Sequence, residues 1–156
     1  MKIVKLFLSC LVLASGLTFA EEPKEVFWED LMPQGYIEPT YIPDHSNPMA
    51  QQSLDAPLVD TFNNQKVKIP GFVVPLEGDG RTTTEFLLVP FFGACIHVPP
   101  PPPNQIVYVK FSEGVPIVNL SDAVWVIGVL TTQGWSGEIA TVGYSMDGLE
   151  VLPFDG

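Results

Sequence analysis

Positive charge is scarce in this 156-residue chain: seven Lys and Arg stand against 18 Asp and Glu, a formal net charge of −11. A surface of that sign repels phosphate backbones, and the sequence has no basic stripe or aromatic–arginine groove, which argues against nucleic acid as a partner. Cysteine and histidine are scarcer still, with two of each, so no paired C-x-x-C zinc unit exists. The many carboxylates are scattered, and no two of them form an obvious acid–base pair. A Cys–His dyad would lack an identifiable orienting Asn or Asp, so the chain reads as a non-enzyme. There are no internal repeats, and beyond residue 20 no apolar run is long enough to span a bilayer. An integral membrane protein is not expected.

What is present begins with a leader. Lys2 and Lys5 give a positive start, Ile3 to Leu17 an apolar core, and Thr18-Phe19-Ala20 a small-x-small cleavage site. Residues 1–20 therefore read as a secretory signal peptide cleaved near Ala20, with the protein placed in the periplasm. Cys10 sits inside the apolar stretch rather than after it, which argues against lipidation. Removal of the leader leaves five basic side chains against 18 acidic ones, a formal net charge of −13, and Cys95 as the single thiol. One cysteine in an oxidising compartment offers no internal disulfide.

Residues 21–56 are acidic and proline-rich. "KEVFWEDLMPQG" spaces Val26, Phe27, Trp28, Leu31 and Met32 as a short helix ending at Pro33. "YIEPTYIPDHSNPMAQQ" has no period and reads as an extended segment wrapped on the domain. Residues 57–156 turn to β. "KVKIPGFVVPL" suits an edge or bulged strand because of Pro70 and Pro75. "EGDGR" is a turn, "TTTEFLLVPFF" a return strand, "QIVYVKF" an alternating strand and "AVWVIGVL" a strand buried on both faces. "IATVGYSM" and "LEVLPF" around Asp147-Gly148 suggest a closing hairpin. Five or six short strands with almost no helix predict an all-β fold, first choice a small OB-like barrel.

The chemistry concentrates in "GACIHVPPPPPNQ", Gly93 to Gln105. On a strand, Cys95 and His97 would share one face about 6.5–7 Å apart, and thiolate plus imidazole is a favoured donor pair for zinc or copper. His45 and Met49 of the wrap segment are candidates to complete the shell. Pro99 to Pro103 would lock a polyproline II exit path, with little entropy left to lose. The blander reading is that Cys95 is a small buried hydrophobe and His97 a hydrogen-bonded residue. The proline run could also serve as a ligand for a partner's aromatic groove, or pack on the domain's own tryptophans.

This stretch, with "KIPGFVVPLE", "EFLLVPFF" and "VWVIGVL", resembles an uncharacterised family of exported bacterial proteins, a domain of unknown function. Its hallmark is G-A-C-I-H-x-P-P-P-P-x-N-Q. The resemblance implies a periplasmic protein associated with envelope ABC-transporter or metal-uptake components. It marks Cys95, His97, Asn104 and Gln105 as functional positions supported by Pro99, Pro100, Pro101, Pro102 and Pro103. Two functions follow as expectations. One is a metal-binding accessory protein handling zinc or copper; the other is a non-catalytic envelope interaction module using the rigid proline segment.

Overall fold

Five segments, most of them rich in β-branched and aromatic residues, give five strands that close on one another. The computed structural model describes residues 22–40, 42, 44–51, 53–116 and 119–155. The leader, its cleavage site and Cys10 lie outside the described residues. A two-residue strand β1 (Lys24–Glu25) precedes β2 (Gln65–Gly78), β3 (Thr82–Val89), β4 (Val107–Pro116) and β5 (Val124–Thr131). The minor strands β6 (Trp135–Ser136) and β7 (Thr141–Val142) then lead to β8 (Tyr144–Pro153).

The order around the barrel is β2-β3-β4-β8-β5 and back to β2, with β4 and β8 parallel and the other pairings antiparallel. Counting only these five, the order is 1-2-3-5-4-1, the topology of an OB barrel. Closure depends on β2 serving two partners. Its first half pairs with β5 as far as Gly71, opposite Val124, and its second half pairs with β3 from Phe72, opposite Val89. At Gly71 the strand turns the corner so tightly that a Cβ would stand 2.6 Å from the Val89 carbonyl oxygen. Only glycine permits that approach.

Inward-facing residues fill the barrel. Val67, Ile69 and Val73 of β2 meet Phe86 and Leu88 of β3, Val107 and Val109 of β4, Val126 and Leu130 of β5, and Tyr144 and Met146 of β8. Each such large apolar side chain contributes about 1.5–3 kcal/mol when fully buried. Gly128 interrupts the β5 series because a Cβ there would stand 2.5 Å from both the Asp147 carbonyl oxygen and the Met146 Cγ.

Val26 and Leu31 of the N-terminal segment join the same core. The helix expected there is a single 3-10 turn, Trp28–Leu31. Lys24 and Glu25 are already committed to pairing with Val67 and Lys68, and the Val26 amide donates to the Lys68 carbonyl at 3.0 Å. The turn therefore starts late, with the Asp30 carboxylate accepting the Phe27 amide at 3.0 Å, and ends before Pro33.

The closing hairpin expected at Asp147-Gly148 is instead one continuous strand. The register between β5 and β8 slips there, between Ile127 and Gly128. Gly148 serves this bulge by leaving its face open to the Phe111 ring, which a Cβ would strike. Pro75 marks a comparable irregularity between β2 and β3. Among the described residues no helix is long and apolar enough to cross a membrane.

Candidate functional site

The outer face of β3 and β4, where OB barrels commonly receive ligands, is built over in this protein. A second apolar cluster covers it: Val74, Leu87 and Val89 from the barrel, Ala94, Cys95 and Ile106 from the β3–β4 connection, and Ala140 and Val142 beside them. Trp135 lies flat against Tyr108, ring centroids 4.7 Å apart and 3° from parallel. The Tyr108 hydroxyl bonds to Glu85, whose Oε1 also takes the Lys110 ammonium at 2.7 Å. The Gly93–Gln105 segment is thus half of a second layer on the barrel.

Its local geometry follows from one carbonyl. The Gly93 oxygen accepts the amides of Ile96, His97 and Val98 at 3.2, 2.8 and 3.4 Å, winding the chain into a tight loop. Gly93 holds φ +86° and Cys95 φ +64°, both in the left-handed region. For cysteine this conformation costs about 1–2 kcal/mol, repaid by the burial around it. The left-handed residue breaks strand alternation, so the expected shared face of Cys95 and His97 does not form. Cys95 points into the second cluster at 9% exposure, while His97 is exposed.

His45 and Met49 are both exposed, in a turn where the Ser46 amide donates to Asp44 Oδ1 at 2.8 Å. The wrap segment does reach the proline run, but through Gln51. That side chain donates to the Pro101 and Thr141 carbonyls at 2.7 and 2.8 Å and accepts the Thr141 amide at 2.7 Å. Among the described residues no three His, Cys, Asp or Glu side chains gather as a metal site.

The proline run answers to a different demand. Pro100 to Pro103 are buried, with Asn104 and Gln105 after them. A buried segment outside regular structure normally strands its amides, and proline has none to strand. Only carbonyls need partners: Gln51 serves Pro101, the Gln105 amide serves Pro102 at 2.9 Å, and the Gly143 amide serves Pro103 at 2.7 Å. Asn104 and Gln105 then anchor the run to the N-terminal segment. Asn104 Nδ2 donates to the Pro57 carbonyl at 3.0 Å and Gln105 Nε2 to that of Trp28 at 2.9 Å. Asn104 Oδ1 is buried with no hydrogen-bond partner among the described residues.

Sequence reasoning missed the outward face of this loop. Phe91, Phe92, Ile96 and Val98 are 46%, 56%, 53% and 41% exposed within eight residues. Phe92 also meets the Phe72 ring edge-on, centroids 6.1 Å apart. "VPFF" had read as the end of a strand. Pro90 was the available signal, since a proline there ends the ladder at Val89. Beside these side chains lies a groove of about 570 Å³, lined by Phe91, Val98 and the proline run together with Glu38, Pro39 and Ser53.

Burial pushes the Cys95 thiol from an ordinary 9.0 to about 11. Burial, then the bond to Glu85, pushes Tyr108 from 10.0 to about 12, and burial raises Tyr144. In each case the unfolded chain loses its proton first, so these groups support the fold fully below about pH 9 and progressively less above it. Two results are expected: disulfide-exchange labelling of Cys95 at pH 8 should be slow in native protein and fast in urea, and Tm should fall between pH 9 and 11. Rapid native labelling would place the thiol at the surface.

No curated protein matches the chain. A crystal structure of a DUF3299 family protein from Pseudomonas aeruginosa is 42% identical, with a TM-score of 0.76 over 87% of this chain and 99% of that one. The sequence profile of that family, described as protein of unknown function, runs from residue 28 to residue 153. It spans the N-terminal 3-10 turn, the whole barrel and the proline-walled second layer, so this chain belongs to the DUF3299 family.

Proposed function

We propose that this protein is a non-catalytic interaction module of the bacterial envelope, and that the Gly93–Gln105 segment is the family's signature element because it builds the docking face. The observation that carries this reading is the exposure of Phe91, Phe92, Ile96 and Val98 on a loop held rigid from beneath. Contiguous apolar side chains left in water mark interaction sites, and a loop ordered in advance forfeits little entropy on binding. The same reading puts the chain in the periplasm after cleavage near Ala20, with an envelope ABC-transporter or metal-uptake component as partner.

The competing assignment is zinc or copper handling through Cys95, His97, His45 and Met49. Site-specific photocrosslinking in cells and metal titration together decide between them. A photoreactive residue at Ile96 should capture an envelope protein, whereas one at exposed Ser112 on β4 should not. Equal capture at both positions defeats the proposal. Tight binding of Zn(II) or Cu by the reduced, metal-free protein, lost in both Cys95→Ala and His97→Ala, transfers the function to metal.

A further inference from the structure

We infer that the groove beside the proline run receives an extended apolar segment of a partner protein carrying lysine or arginine. This rests on the interaction-module reading and adds the chemistry of the occupant.

The groove is deficient in donors. Six of its eleven lining residues are prolines (Pro39, Pro90 and Pro99 to Pro102), which have no N–H to offer. The Val98 amide is taken by Gly93, and the Gln105 side-chain amide by the carbonyls of Trp28 and Asn104. What remains open is apolar ring surface, main-chain carbonyls, the Ser53 hydroxyl and the exposed Glu38 carboxylate. An occupant must therefore supply most of the donors, and lysine and arginine are side chains that donate and never accept.

Charge points the same way. Glu38 is the charged residue of the lining, and the chain as a whole carries 18 Asp and Glu against seven Lys and Arg. A second copy of this acidic chain would bring the same sign to the contact. An anionic lipid surface would be repelled likewise. A protein segment combining apolar and basic side chains fits both the floor of the groove and its field.

The test is selection of random dodecapeptides displayed on phage against the purified protein at physiological salt, followed by titration of the synthesised winners. Glu38→Lys and Phe91→Ser serve as variants, each first shown to keep the wild-type Tm. The expected winners place Lys or Arg beside two or more apolar residues. Their affinity should fall at least tenfold in both variants and weaken as salt rises. Winners that are acidic, or that bind Glu38→Lys as well as wild type, overturn the inference. Uncharged apolar winners lost only in Phe91→Ser overturn it while leaving the interaction module standing. Absence of any winner overturns it as well. If the protein then co-sediments with phosphatidylglycerol–phosphatidylethanolamine vesicles through Phe91, the partner is a membrane and both readings fall.

Discussion

Replacing Tyr144 by alanine should cost about 3–5 kcal/mol, the range for deleting a fully buried aromatic side chain. It would also remove one of the anchors that hold the N-terminal segment on the barrel. The ring is completely buried in the main core, and its hydroxyl is a three-way junction. It accepts the Val59 amide at 2.8 Å and lies 2.9 Å from the Leu31 carbonyl and 3.3 Å from that of Val59. Tyr144→Phe separates the two contributions. It keeps the ring and leaves those backbone groups without their partner, so about 1–3 kcal/mol should be lost. Chemical denaturation read by tryptophan fluorescence checks both values, and a near-neutral Phe variant would show that the junction holds nothing.

The second large effect is expected at Gly71. Gly71→Val introduces a Cβ 2.6 Å from the Val89 oxygen and 3.0 Å from Leu88 side-chain carbons, at the point where β2 exchanges β5 for β3. Overpacking of this kind costs about 1–3 kcal/mol, and more where the obstacle is backbone. The corner also closes the barrel, so the folded state should loosen as well as weaken. Amide exchange at Val89 and Val124 should accelerate more than the change in global stability accounts for. Gly35 supplies the control: it has φ +78° but open space around it. Gly35→Ala should cost only the left-handed penalty of about 1–2 kcal/mol. Equal losses at the two positions would show that the corner is not under steric constraint.

Periodicity made the barrel legible. In "VWVIGVL", Val126 and Leu130 face the main core while Trp125 and Ile127 are buried on the other side, as a strand apolar on both faces should be. Asp147-Gly148 misled for a physical reason. The same dipeptide serves a tight turn and a bulge, and the choice is made by the Phe111 ring, which comes from β4 and occupies the space over Gly148. Cys95 and His97 were misread in a related way. A two-residue spacing means a shared face only if the backbone is extended, and the Gly93 carbonyl, by taking three amides, coils it instead. The exposed face at Phe91 to Val98 was equally hidden, because apolar letters do not say which side of a loop the solvent is on.

The amide-free proline ribbon has a consequence for solubility in a concentrated compartment. An apolar surface is hazardous when strand edges next to it can recruit a passing chain into a growing sheet. Here the backbone along the groove wall is mostly proline, and it cannot donate to an incoming strand. The exposed phenylalanines are therefore flanked by a stretch that cannot seed a cross-β stack. Along the proline run contacts are confined to side chains and single carbonyls, so that wall cannot template polymerisation.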